Sequence, residues 1–228
     1  MPGNILKLIA ALSMLIDHVG LMFFPNQLWM RAVGRLAFPI FAFFIAEGFR
    51  YTRSKLRYLL TVFALGVACH TVYYIVTRSA SFNVLITFSL SLCLLILLDK
   101  ALSDVRQNAA EKFLYIAAFA AALLAVTVIC HYAEVDYGLL GVMLPLWPSF
   151  AQSKRGRLCA FAGGLLPLCI SAAIEGMPVQ FFAYLALIPL FFYNEKPGKP
   201  RLKYFFYAFY PAHLALLWSL QAILQKLV

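Results

Sequence analysis

The sequence predicts an all-α, polytopic transmembrane helical bundle of about nine helices, with eight as the alternative count. Three observations predict it. The 228-residue chain is 64% hydrophobic and only 12% charged, with a mean hydropathy of +0.85. A soluble domain of this length has too little interior to hide that much apolar surface, so lipid is its natural solvent. The apolar residues come in runs of membrane-spanning length, and the basic residues gather in alternate connections between them. Lipid requires each spanning backbone to satisfy its own hydrogen bonds, so the runs read as helices.

The first run, 5–24, stands where a signal peptide would. It lacks a small-residue cleavage site and further spans follow, so it reads as a retained helix. The others are 33–49, 57–77, 82–98, 112–131, 137–150, 157–174, 178–193 and 204–226. The sixth, 137–150, is short for a span of roughly 20 residues. It holds Gly138, Gly141, Pro145 and Pro148 and reads as broken, tilted or re-entrant. No internal repeat or low-complexity tract appears, and residues 1–228 read as a single integral membrane domain.

Charge then orients the bundle. Net charge is +10, and fourteen of the nineteen Lys and Arg residues lie in the connections near 50–57, 99–112, 151–157 and 194–203, with Lys7 on the same side. Only Arg31, Arg35, Arg78 and Lys226 fall opposite. This predicts a cytoplasmic N-terminus and an external C-terminus, and explains the basic excess without nucleic acid. The five cysteines all lie in apolar runs and none forms a CxxC pair, so they read as packing residues rather than disulfide or metal frameworks.

Ionisable residues inside the runs need a reason, because each costs about 2.5–3.5 kcal/mol at a helix centre. Asp17 and His18 lie side by side in "MLIDHVG", with Asp17 roughly 18 Å along the axis from Ile5. They read either as a buried polar tie or as an acid–base unit, with His18 as base and Asp17 orienting it. Arg31 and Arg35 share a face. Arg35 compensates Asp17, holds an anionic group, or is an interfacial exception to the charge rule. Pro39 is expected to kink that helix. Glu47 pairs locally with Arg50 or serves a site. Asn83, Thr87 and Ser91 form a polar stripe of helix–helix glue or of substrate contacts. In the last span Tyr204, Tyr207, Tyr210 and His213 recur every third residue around Pro211. There His213 is a structural histidine or, beside a helix break, part of a pocket wall. His70 and His131 read as packing or interface residues. No GxxxxGK[ST], HExxH, GxSxG or zinc spacing occurs, which argues against an ATPase, a metalloprotease of that type, or a nucleophile-elbow hydrolase.

The stretches "LKLIAALSMLIDHVG", "GRLAFPIFAFFIAEGFRYT", "SFNVLITFSL", "DYGLLGVMLPL" and "KYFFYAFYPAHLALL" closely resemble, in order, motifs of the TraX family. That family is named for the membrane protein that N-acetylates conjugative pilin, and is similar to a wider group of polytopic acyltransferases that use acyl-CoA. The resemblance implies acyl transfer. It places Asp17 and His18 in the first motif, Arg35, Pro39, Glu47 and Gly48 in the second, and Asn83 and Thr87 in the third. Tyr137 and Gly138 fall in the fourth, and Tyr210, Pro211 and His213 in the last. It implies acetyl-CoA or another acyl-CoA as co-substrate, no metal, and a peptide, pilin or envelope acceptor, in a bacterial cytoplasmic (inner) membrane. Around Cys69 and His70 the chain departs from the family's polar, acidic pattern.

The residues fit this chemistry independently. Acyl transfer needs a base for the acceptor and polar donors for the carbonyl oxygen. His18 can be the base, or a covalent acyl carrier, and Asn83, Tyr210 or His213 can hold the oxygen. Arg53, Lys55 and Arg57, with Lys199, Arg201 and Lys203, lie on the side of the polyanionic CoA nucleotide. Two readings from other classes compete: a proton-coupled transporter or flippase using Asp17, His18, Glu47 and His213, and a non-catalytic assembly factor. The lack of repeated halves favours the enzyme.

Overall fold

The computed structural model describes residues 1–103, 108–196 and 202–227. Its α-helices are α1 (Gly3–Phe23), α2 (Leu28–Gly34), α3 (Ala37–Tyr51), α4 (Lys55–Thr77), α5 (Val84–Leu102) and α6 (Ala109–Tyr132). They continue with α7 (Gly138–Met143), α8 (Lys154–Ile174), α9 (Leu187–Phe191) and α10 (Leu202–Leu227), and two 3₁₀ segments, Leu144–Phe150 and Pro178–Ala186, precede α8 and α9. Among the described residues there is no strand, only an isolated backbone bridge between Phe82 and Val135. Six helical segments are long and apolar enough to cross a membrane, one of them Leu28–Tyr51 made by α2 and α3 together. Gly138–Phe150, Pro178–Phe191 and part of α10 are shorter apolar segments. These are the nine predicted runs, and the chain is a multi-pass helical membrane protein.

Proline decides where the runs stop being regular. The kink expected at Pro39 lies upstream, where α2 ends and Arg35 and Leu36 form a turn before α3. Pro39 has no N–H to give the carbonyl of Arg35, and its ring crowds that carbonyl, so the break comes four residues earlier. The sixth run is broken as predicted: α7 tightens into a 3₁₀ helix containing Pro148. The eighth run, expected to be regular, is not. It opens as a 3₁₀ segment at Pro178, and Pro189 removes the bond to Leu185. By contrast, the break expected at Pro211 does not occur, and α10 runs through it.

The chain forms two compact units, Met1–Phe44 with Leu165–Val228, and Ile45–Gly164. In the first, α1 packs against α2 and α10, and α2 against the 3₁₀ segment Pro178–Ala186. The buried row of α1 contains Leu6, Ala10, Ser13 and Gly20, spaced by four, three and seven residues. Asp17 continues this row, so the carboxylate faces the neighbouring helix. Gly20 admits that helix, since a Cβ there would lie 2.7 Å from Cβ of Met30.

In the second unit α5 is central, packed by α4, α6, α7 and the 3₁₀ segment Leu144–Phe150, with Leu92, Leu94 and Leu95 buried. The large apolar residues Phe113, Leu114 and Leu124 of α6 are exposed, as suits a lipid-facing helix. The polar stripe of α5 is consumed by backbone. Asn83 caps the helix, its Oδ1 accepting from the N–H of Leu85 and Ile86 at 3.0 and 3.4 Å, while Nδ2 donates to the carbonyl of Gly66 at 2.9 Å. Thr87 Oγ1 donates to the carbonyl of Asp136 at 2.8 Å, and Ser91 Oγ to that of Val142 at 2.7 Å. Asn83 and Thr87 are thus engaged in helix capping and helix–helix attachment, the glue reading of the stripe rather than the substrate-contact one.

Removing these bonds should cost stability alone. Asn83→Ala should lose about 1 kcal/mol, in the range of N-cap deletions, and Thr87→Val about 0.6 kcal/mol, the average for interhelical bonds in membranes. Reversible unfolding in detergent measures both. A Thr87→Val protein as stable as wild type would remove the attachment role.

Candidate functional site

Asp17, His18, Arg31, Arg35 and His213 all lie in the first unit, with Gln180, which sequence reasoning did not single out. The hairpin of α1 and α2 sets the centre. Arg31 and Arg35 are one helical turn apart, and Arg35 keeps a right-handed helical conformation although α2 has ended. Both guanidiniums therefore reach the same carboxylate. Arg31 Nη1 lies 2.8 Å from Asp17 Oδ1 and Arg35 Nη2 3.9 Å from it. The approach depends on Gly34, where a Cβ would sit 2.2 Å from Asp17 Oδ1 and 2.4 Å from its Cγ. Any side chain there displaces the carboxylate.

Asp17 thus serves the arginines and does not orient the imidazole beside it. The Nδ1 of His18 instead bonds the carbonyl of Met14 at 2.8 Å. A carbonyl can only accept, so Nδ1 carries a proton, and in the neutral ring the lone pair is on Nε2. His213 repeats the device from α10, with Nδ1 2.8 Å from the carbonyl of Phe209. Its Nε2 is buried without a hydrogen-bond partner among the described residues. The two rings meet edge-on, centroids 5.1 Å apart. Phe209 stacks on His213 at 4.9 Å, and Tyr210 stands edge-on to it at 5.8 Å. The first and last spans thus bring together two imidazoles, each with Nδ1 held by a backbone carbonyl of its own helix, which leaves Nε2 as the basic atom of the neutral ring. The side chains of Lys203, Tyr204 and Tyr207, and residues Lys199 and Arg201, lie outside the described residues.

The second unit holds the other predicted residues. Glu47, 2% exposed, meets Arg50 as expected, Oε1 to Nη1 at 3.8 Å. Its closer partner is Arg157, 4% exposed, with Nε at 3.2 Å. Arg157 Nη1 also donates to the carbonyl of Gln152 at 2.7 Å. Read along the sequence, Arg157 is one topogenic charge among several; only packing shows it inside. Lys55 pairs with Asp99, while Arg53 and Arg57 are exposed. Glu47, Arg50, Lys55, Asp99 and Arg157 line a cavity of about 360 Å³. Arg50, Lys55 and Arg157 could meet a phosphate there only by sharing their carboxylate partners. His70 lies against Phe82, centroids 4.8 Å apart, and His131 against Tyr132. All five cysteines are free.

Fold and site define a polytopic helical membrane protein with an arginine–aspartate cluster and two imidazoles within its spans, His18 half-buried and His213 buried. The family model for TraX protein matches residues 2–221, and the chain belongs to the TraX family. It is 32% identical over 247 residues to a probable fimbrial assembly protein, serogroup H1, of Dichelobacter nodosus, with 96% of each chain covered. It is 26% identical over 191 residues to an uncharacterized protein of Rickettsia prowazekii (strain Madrid E), covering 84% of this chain and 69% of that one. No solved structure matches the chain.

The ion cluster makes a prediction about coupling. Asp17→Asn leaves two guanidiniums without a counter-charge, and Arg31→Gln leaves one balanced pair. The double variant should be more stable than the sum of the single effects, by more than the roughly 0.5 kcal/mol scatter expected of independent sites. A double-mutant cycle of unfolding in detergent measures this, and strict additivity would refute the cluster.

Proposed function

We propose that the protein is a membrane acyltransferase that moves an acetyl or other acyl group from acyl-CoA to an amine or hydroxyl of a peptide, pilin-like or envelope acceptor. The observation that carries this reading is the imidazole pair His18 and His213, fixed with Nε2 as the basic atom beside a cluster of net positive charge. Membership of the TraX family supports the reaction class. The fimbrial assembly name borne by the Dichelobacter relative favours a pilus-type acceptor.

In this reading His18 Nε2 accepts the proton of the acceptor as its nitrogen or oxygen attacks the thioester carbonyl carbon. The new C–N or C–O bond forms, the C–S bond breaks, and CoA leaves as the thiol, taking the proton from the imidazolium. Arg31 and Arg35 supply the positive field in which charge develops on the carbonyl oxygen, and Asp17 holds them together. His213 positions the reacting end. Arg53, Lys55 and Arg57, with the cations around Glu47, are the basic residues proposed to meet the CoA nucleotide.

The test is the purified protein in lipid nanodiscs with labelled acetyl-CoA and a pilin-type acceptor peptide, following label transfer and thiol release. His18→Ala should lower turnover by about 10²–10⁴-fold, the usual contribution of a general base, with the protein still folded. His213→Gln should keep substantial activity because it still hydrogen-bonds, whereas His213→Leu should not. Near-wild-type turnover by His18→Ala would end the catalytic assignment. Equal and complete loss in both His213 variants, with thiol release indifferent to His18, would favour a proton-coupled transporter.

We also propose that the protein sits in the bacterial inner membrane with a cytoplasmic N-terminus and an external C-terminus, from the charge distribution. On a cysteine-free background, a cysteine at Ser153 should resist an impermeant reagent applied from outside, and one at Ser79 should react. The reverse pattern would invert the orientation.

A further inference from the structure

Gln180 has no part in the mechanism above, yet its surroundings are those of a binding residue. It lies in the 3₁₀ segment Pro178–Ala186, in an otherwise apolar stretch, with 3% of its surface exposed. Its backbone carbonyl accepts from Cys169 Sγ at 3.3 Å. Its side-chain Oε1 accepts from Arg35 Nη1 at 3.1 Å. A guanidinium can only donate, so the amide orientation is settled by chemistry: oxygen toward Arg35 and the two N–H groups elsewhere. That Nε2 is buried and has no hydrogen-bond partner among the described residues, and neither has Nε of Arg35. An irregular backbone at membrane depth is tolerated where it is buried in protein or lines a cavity, and this segment carries the unused donor.

The charge around this donor is unbalanced. Arg31 and Arg35 oppose the single carboxylate of Asp17, which leaves one positive charge uncompensated. Arg35 Nε and Gln180 Nε2 are unused donors, and His213 Nε2 is an unused acceptor. Buried donors without acceptors are costly, and proteins keep such arrangements where a ligand supplies the missing oxygen. Asn83, the sequence-level alternative for holding such an oxygen, has both ends of its amide committed.

We infer that Arg35 Nε and Gln180 Nε2 form an oxyanion site that holds the acyl carbonyl oxygen during transfer; the inference rests on the acyltransferase reading above. As the acceptor's nitrogen or oxygen bonds to the carbonyl carbon, the C=O π pair moves onto the oxygen, and the two N–H groups receive that charge. When the C–S bond breaks, the pair returns to re-form the carbonyl, and the sulfur leaves with the proton held by His18. The donors are in place before charge develops, which is how such sites lower a barrier.

Gln180→Glu tests this with opposed signs. It keeps an oxygen toward Arg35, removes both N–H donors, and adds the negative charge the cluster lacks. The expected result is a kcat lower by about 10²–10³-fold, as for loss of one oxyanion donor. KM should stay within a few-fold and the unfolding midpoint at or above that of wild type. A residue that merely packs would lose stability together with activity, and that outcome overturns the proposal; so does a variant with wild-type kcat, while acyl transfer itself stands. If wild-type protein transfers no acetyl group, the acyltransferase reading has failed, and acetate at constant ionic strength becomes the probe of the oxyanion site. Acetate that raises the unfolding midpoint of wild type relative to chloride, and not that of Gln180→Glu, sustains the site. Acetate without effect on wild type, or with equal effect on both proteins, overturns it.

Discussion

The first unit depends on one ionic contact, the carboxylate of Asp17 against the guanidiniums of Arg31 and Arg35. In lipid, each of these charges alone would carry a desolvation cost of several kcal/mol. Together they offset that cost, and their geometry is demanding. The carboxylate must lie on the backbone of Gly34, α1 and α2 must approach closely at Gly20, and the two arginines must sit one turn apart. The consequence reaches His18, because a carboxylate committed to arginine is not available to orient an imidazole. A helix carbonyl takes that task.

The same substitution of backbone for side chain recurs. His18 and His213 both use the carbonyl four residues earlier in their own helix, which sets their tautomer without a dedicated carboxylate. Asn83, Thr87 and Ser91 all spend themselves on main-chain atoms. Where water is absent, the backbone is the most abundant polar partner, and side chains on spanning helices find it first. Nε2 of His213, Nε2 of Gln180 and Nε of Arg35 remain without a hydrogen-bond partner among the described residues, and the proposed chemistry is built on them.

Proline shapes the elements that carry those groups. It ends α2 at the point where Arg35 turns toward Asp17, and it keeps the segment Pro178–Phe191 from becoming a continuous α-helix. An α-helix satisfies its own backbone and offers only side chains to a ligand, whereas a broken one changes the direction of its side chains over a short distance. In α10 the surrounding helix absorbs Pro211 without a break, so proline alone does not decide the outcome.

The sequence by itself determined the solvent, the helical class, the nine segments and their order, because composition and run length depend only on the local exchange of water for lipid. It also singled out Asp17, His18, Arg35 and His213, since an ionisable or polar residue in an apolar run is visible without knowing its neighbours. It left open whatever depends on partners. Asp17 reads both as the orienter of His18 and as the counter-charge of Arg35, and space gives it to Arg31 and Arg35. Asn83 and Thr87 looked like ligand contacts because the acceptors they satisfy, Gly66 and Asp136, are distant backbone carbonyls with no sequence signature. Arg157 reads as one topogenic charge among several, and Gln180 is not singled out at all. Only tertiary structure shows them buried, because burial and pairing are properties of contacts between segments, and the chain's one-dimensional pattern does not contain them.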